Sequence, residues 1–302
     1  MDSLLSISDI KEDVKYILDL ASKIKAGEME EKPLEGKTLA MIFQKSSTRT
    51  RLSFDVGMYQ LGGRAIFLSS NDLQMGRGEP ISDTAKVLSR FVDGIMIRAI
   101  EHVDVIELAK HSDVPVISGL TNLEHPCQAL ADMLTIKEHF GDWEGKKICF
   151  VGDGNNVCNS LLLIAPLLGM NASVACPKGY EPNEDILKTA QEYAQEKGTE
   201  ITVTDDIGVA LENVDVVYTD VWVSMGDEAE AAQRKIDLSP FQVNADLMGL
   251  ANDGAIFMHC LPAIRGQEVT EDVIDGPQSV IYDEAENRMH AQKAVLYYYM
   301  KD

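Results

Sequence analysis

The chain has 302 residues, enough for one large or two medium domains with a full hydrophobic core. Acidic residues outnumber basic ones 49 to 27, a formal charge of −22, which argues against nucleic acid or an anionic membrane as a partner. An anionic substrate of such a protein needs a local cluster of cations to hold it.

Five scattered cysteines without a CxxC pair (Cys127, Cys149, Cys158, Cys176 and Cys260) read as reduced thiols, mostly packed as small hydrophobes. The histidines show no metal-ligand spacing, so no metal is expected. The first residues carry Asp2, Asp9, Glu12 and Asp13 and lack a basic-then-apolar leader. No apolar run reaches the roughly 18 residues that span a bilayer. A cytoplasmic protein is expected.

In chain order, Ser8 to Ala26 has helical apolar spacing (Ile10, Val14, Ile17, Leu18, Ala21), with Ser8 as a cap and Gly27 after it. Residues 39–43 form an apolar strand, and a helix follows from Thr48 to the Gly62-Gly63 pair. Strands are predicted at 64–68, 95–98 and 114–118, and helices at 81–91 and 103–111. A longer helix runs from Pro126 to Phe140, with Pro at its start as helices favour. Residues 141–146, rich in Gly and charge, read as a boundary. A second series then begins: strands at 147–151, 172–175, 200–204, 214–219 and 255–258, and helices at 156–168, 183–197, around Val209, and at 287–300. Buried strands alternating with helices predict an α/β fold of two domains, each a mostly parallel sheet flanked by helices. The expected bounds are 1–141 for the first domain and from 142 onward for the second.

Several strand ends carry polar residues. Ser46, Ser47, Thr48 and Thr50 open the helix after the first strand, with Arg49 and Arg51 among them; a helix start with arginines suits a phosphate. Arg98 ends a strand. His125 opens a helix, where the positive helix end should lower its pKa and leave a neutral hydrogen-bond donor. Gly152-Asp153-Gly154-Asn155-Asn156 invites a dinucleotide reading, but Val157 stands where GxGxxG needs glycine and no acid ends the next strand. The alternative is a turn that aims Asn156 at a ligand. Asp220 and His259-Cys260 follow two further strands. Neighbours on extended chain point oppositely, which argues against a Cys–His dyad.

Together Ser47-Thr48-Arg49-Thr50-Arg51, Met96-Ile97-Arg98, His125-Pro126-Cys127-Gln128, Asp220-Val221-Trp222-Val223-Ser224-Met225-Gly226, His259-Cys260-Leu261-Pro262 and Glu286-Asn287-Arg288 resemble, in order, the aspartate/ornithine carbamoyltransferase family. The resemblance implies carbamoyl transfer from carbamoyl phosphate to an amine, with no cofactor and no metal. It assigns carbamoyl phosphate to Ser47, Thr48, Arg49, Thr50, Arg98, His125, Gln128 and Arg288, with Gln74 supplied to a neighbouring subunit's site. It assigns the amine substrate to Asn156, Asp220, Ser224, Met225, Cys260 and Leu261, and the main catalytic roles to Arg49, Arg98, His125 and Cys260. A homotrimer, or a multiple of trimers, with shared active sites is implied. Asp220 and the Ser224-Met225-Gly226 loop favour L-ornithine, and thus L-citrulline and phosphate as products. The alternatives are the aspartate branch, which needs cations for an anionic substrate, and the putrescine branch, which lacks that loop.

Overall fold

A computed structural model describes residues 2–29, 31–70, 73–223 and 228–301. It divides into two compact units, Met1–Leu134 with Glu286–Asp302, and Thr135–Ala285.

In the first unit, strands β1 (Thr38–Phe43), β2 (Arg64–Ser69), β3 (Gly94–Arg98) and β4 (Val116–Leu120) pair in parallel in the order β2-β1-β3-β4. The apolar runs of β1 and β3 are buried along nearly their whole length, as strands covered on both faces must be. Ala40, Ile42, Ile95, Ile97, Val105, Leu108 and Val116 form one core cluster here. Each such aliphatic side chain contributes roughly 1.5–3 kcal/mol by leaving water. The helices are α1 (Val14–Lys25), α2 (Thr48–Gln60), α3 (Ile81–Leu88), α4 (His102–His111) and the first part of α5 (Pro126–Phe140).

In the second unit, β5 (Lys147–Val151), β6 (Asn171–Ala175), β7 (Ile201–Thr204), β8 (Val216–Thr219) and β9 (Ile256–Met258) pair in parallel in the order β7-β6-β5-β8-β9. Its helices are α6 (Asn156–Leu167), α7 (Glu184–Lys197), α8 (Ile207–Leu211), α9 (Ala231–Leu238), α10 (Ala245–Met248) and α11 (Glu271–Ile274). The last helix, α12 (Ile281–Met300), runs on into the first unit. Cys149, Val151, Val217, Phe257, Leu247 and Ile274 belong to this unit's core. Helix α6 is apolar on every side and buried from Val157 to Leu167, the pattern of an interior helix.

Both sheets reverse strand order once. The chain leaves β1 toward β2 but returns to β3 on the other side; β5 stands likewise between β6 and β8. Ligands of doubly wound sheets bind beyond the carboxyl ends of strands at such a reversal. Those points are Phe43 and Arg98 in the first unit, and Val151 and Thr219 in the second.

The predicted fold class holds, with five local corrections. The first helix is interrupted: Ser6 and Asp9 form a capping box around a 3-10 turn over Ile7–Ile10, so Ser8 lies inside the turn and α1 begins only at Val14. The helix predicted over 81–91 ends at Leu88, and strand β4 lies two residues later than expected. Helix α12 starts at Ile281, six residues early, with Asp283 and Glu284 in its first turn where the helix dipole favours acids. Helices α9 to α11 form where no element is predicted.

Candidate active site

In the first unit, α2 begins five residues beyond the end of β1. Ser47 adopts an extended backbone and its hydroxyl accepts from the Thr50 N–H at 3.2 Å, capping the helix. Thr50 is fully buried. Its hydroxyl oxygen accepts from Arg288 Nη2 at 2.7 Å, and Arg98 Nη1 lies 3.5 Å away. With its oxygen so engaged, the Thr50 hydroxyl proton is left to donate elsewhere. Three chain segments thus place guanidinium groups about one helix start: Arg98 from the end of β3, Arg288 from α12, and Arg49 from α2 itself.

His125 precedes α5 and is buried. Its pKa is held well below 6.5, first by burial and then by the positive charges of Arg288, Arg98 and Arg49. The direction is the predicted one, and burial and the neighbouring arginines are its causes. A neutral imidazole here offers one N–H to an oxygen. Three residues on, Gln128 is fully buried and its Nε2 donates to Asp132 Oδ1 at 2.8 Å. Arg51 faces elsewhere and stacks on Phe67, 3.9 Å from the ring centre. Thr48 and Gln74 are exposed, Gln74 in a 3-10 turn over Gln74–Arg77.

In the second unit the reversal point is organised by a carboxylate. Asp220 directly follows β8 and is largely buried. Its Oδ2 accepts from Asn155 Nδ2 at 2.7 Å; its Oδ1 accepts from the Val221 N–H at 2.8 Å and from the Cys260 thiol at 3.2 Å. Sequence reasoning chose Asn156 and missed Asn155. The neighbour has two tasks: its Oδ1 caps α6 through the N–H groups of Val157 and Cys158, while its Nδ2 fixes Asp220. Its place just before an apolar run was the available signal. Gly152 has φ +128°, a backbone that suits glycine, while Gly154 serves packing. A Cβ on Gly154 would lie 2.4 Å from the Pro182 nitrogen, so chain rather than a nucleotide fills the space. Arg234 ties the same turn down, donating to Asp153 at 2.7 Å and to the Trp222 carbonyl at 3.4 Å.

Cys260 and Leu261 follow β9. Leu261 has φ +57°, a left-handed conformation that costs a branched residue energy and is held by its surroundings. Its N–H donates to His259 Nδ1 at 2.9 Å; His259 Nε2 in turn faces Glu268 Oε1 at 3.2 Å, and both side chains are fully buried. Since Nδ1 accepts, the proton sits on Nε2. Asp220, His259 and Cys260 bring ligand-type atoms within 4.8 Å, the one such group of three among the described residues. Both His259 nitrogens are already committed, however, so the group fits a positioning role better than a metal. The cysteine pairs with Asp220 rather than with its histidine neighbour. Of the other thiols, burial pushes Cys149 to about 11 and Cys127 to about 12, which makes them inert packing residues.

The predicted residues thus fall into two groups. Ser47, Arg49, Thr50, Arg98, His125 and Arg288 gather in the first unit, with Gln128 in the first turn of the helix that His125 precedes. Asp220 and Cys260 meet in the second, with Asn156 and Leu261 next to residues of that cluster. Ser224 and Met225 lie outside the described residues. No helix among the described residues is long and apolar enough to cross a membrane.

Comparison with known proteins points the same way. Residues 2–138 match the family model "Aspartate/ornithine carbamoyltransferase, carbamoyl-P binding domain", and residues 144–299 match its "Asp/Orn binding domain". An ornithine carbamoyltransferase of Methanobrevibacter smithii is 77% identical over 301 residues, covering 100% of both chains. The solved ornithine carbamoyltransferase of Pyrococcus furiosus superposes with a TM-score of 0.95 at 53% identity, over 99% of this chain and 96% of that one. A solved anabolic ornithine carbamoyltransferase of Campylobacter jejuni gives a TM-score of 0.93 at 42% identity, over 99% and 98% of the two chains.

Proposed function

The chain belongs to the aspartate/ornithine carbamoyltransferase family, and we propose that it transfers the carbamoyl group of carbamoyl phosphate to the δ-amine of L-ornithine, giving L-citrulline and phosphate. The observation that carries this reading is the convergence of Arg98 and Arg288 on the buried Thr50 hydroxyl at the start of α2, within a protein of net charge −22. Such a focus of cations is built for a small dianion. Residues 1–141, with helix 287–302, are the carbamoyl phosphate domain; residues 142–286 are the ornithine domain.

The phosphate sits on the N–H groups and hydroxyls of Ser47, Thr48 and Thr50, with Arg49, Arg98 and Arg288 as charge-assisted donors. Gln74 of a neighbouring subunit completes this side. Neutral His125 donates to the carbamoyl oxygen and Gln128 faces the carbamoyl amino group. Asp220 takes the ornithine α-ammonium, with Asn156, Ser224 and Met225 on the backbone groups of the amino acid. The Cys260 and Leu261 turn receives the δ-amine.

The free amine attacks the carbamoyl carbon and forms a tetrahedral oxyanion. Collapse breaks the bond to the phosphate oxygen, which keeps the electron pair and accepts the proton shed by nitrogen. Donors preorganised at the oxyanion are the largest catalytic contribution, about 3 kcal/mol for one such group. Aspartate is disfavoured because Asp220 repels a second carboxylate.

Three further assignments go with this reading. The assembly is a homotrimer or a multiple of it, and the shared Gln74 needs a neighbouring subunit. The protein works in the cytoplasm, and its citrulline feeds arginine biosynthesis, in keeping with the likeness to an enzyme described as anabolic. Replacement of Arg49 by Ala tests the phosphate role: kcat/KM for carbamoyl phosphate should fall by more than the equivalent of ~2 kcal/mol. A variant with undiminished kcat/KM would refute it. Sedimentation should give about three times the chain mass of 33.3 kDa, or a multiple of that; a monomer would remove the shared-site reading.

A further inference from the structure

Asp132 lies one turn beyond Gln128 on α5, and both side chains are completely buried. The contact between them, Gln128 Nε2 to Asp132 Oδ1 at 2.8 Å, has a chemical consequence. A carboxylate only accepts hydrogen bonds, so the end of the amide that faces it must be the NH2 group. The other branch, Oε1, is then committed to the role of acceptor. A glutamine without such a partner has no fixed sense: it presents N–H or C=O as the surroundings ask.

We propose that Asp132 is a specificity-determining positioning residue, which locks Gln128 so that it reads the amino group of carbamoyl phosphate and rejects acyl phosphates that carry a methyl group in its place. This rests on the assignment of Gln128 to the carbamoyl group. The carbonyl and phosphate of the substrate are common to acetyl phosphate, and the donors around Thr50 and His125 serve both ligands alike. Only an acceptor at the amino position distinguishes them, because a methyl group placed there leaves a buried oxygen without its proton. Turned the other way, the same glutamine would set N–H against N–H and disfavour the correct substrate. Asp132 touches no substrate in this scheme. Its role is to hold one rotational state of a side chain that does.

Two stable probes isolate the contact: phosphonoacetamide, which keeps the amino group, and acetonylphosphonate, which has a methyl there. Their dissociation constants, measured by calorimetry on the full-length protein, give a discrimination ratio. The wild type should favour the amide probe by about tenfold or more, the worth of one well-made hydrogen bond. Asp132→Leu removes the acceptor, and Asp132→Asn can turn either an oxygen or an N–H toward Gln128. In Asp132→Leu the ratio should fall toward one, mainly through weaker amide binding, while acetonylphosphonate binds much as before; in Asp132→Asn, whose oxygen can still accept from Gln128, it should fall less. If the leucine variant does not fold, Asp132→Ala, which also lacks an acceptor, takes its place. Equal weakening of both probes with the ratio preserved would reduce Asp132 to a packing role and overturn the proposal. Gln128→Leu separates the two layers. If that variant keeps the wild-type ratio, the assignment of Gln128 to the carbamoyl group fails, whereas a ratio lost in Gln128→Leu but kept in both Asp132 variants refutes only the lock.

Discussion

His125 shows how a site can be tuned by what surrounds one side chain. Burial and three nearby arginines hold its pKa well below 6.5 in the folded protein. The unfolded chain therefore takes up this proton first as pH falls. The sign follows: the native state has its full stability from this group above pH 6.5, and loses it progressively as pH drops toward the depressed folded value. His125→Asn removes one such proton and should flatten the dependence by up to about 1.4 kcal/mol per pH unit in that window. Urea midpoints between pH 5 and 7.5 measure it, with the wild type more acid-sensitive than the variant. His102 and His290, whose pKa values are also lowered mainly by burial, act in the same sense in both proteins. Slopes that coincide would mean that the His125 imidazole is charged in the native state.

At the scale of elements, the turn between β5 and α6 holds Asp220 through Asn155. Gly154 admits the chain of Glu181 and Pro182, and a methyl group there must push backbone aside. Gly154→Ala should destabilise by about 1–3 kcal/mol, as overpacking does, and raise the KM for ornithine. Thermal or urea unfolding with steady-state kinetics checks both, and a variant as stable as wild type would show that the 181–182 segment yields freely. Arg234 secures the turn from α9 through Asp153. Arg234→Gln should raise the ornithine KM by about tenfold, the worth of a charged hydrogen bond, while leaving the KM for carbamoyl phosphate near its wild-type value. A loss shared equally by both substrates would mean a general loosening. These elements also mark what the sequence made legible. The helix start at Ser47 was readable because hydroxyls and arginines follow an apolar strand at once. Asp220 was readable because it ends one. Asn155 was not, because two asparagines stand side by side and only the folded geometry shows that the first both caps α6 and holds Asp220. Glu268 was not, because it meets His259 only through folding, whereas the Gln128–Asp132 pair has the i,i+4 spacing of a predicted helix and carried no motif that singled it out. Helices α9 to α11 escaped because their short apolar patterns complete a face only against the rest of the unit.

At the scale of the whole molecule, the same design occurs twice. Each sheet reverses its strand order once, and at each reversal the strand ends carry the polar groups: Arg98 and the Ser47–Thr50 turn in the first unit, Asp220 with Asn155 in the second. The two-series rhythm of strands and helices made this architecture legible, because buried parallel strands have apolar runs that polar residues end sharply. The exchange of helices between units was harder to read, since α5 and α12 are continuous helices whose ends belong to different cores. Charge is arranged on the same plan: a strongly acidic protein gathers arginine at one reversal point and a buried carboxylate at the other. The central claim is that this pairing selects carbamoyl phosphate and L-ornithine. Its most direct test is kcat/KM for product formation from carbamoyl phosphate with L-ornithine, L-aspartate and putrescine, each supplied to the same purified protein. Citrulline formation should exceed both alternatives by a wide margin, and equal or faster carbamoylation of aspartate or putrescine would contradict the account.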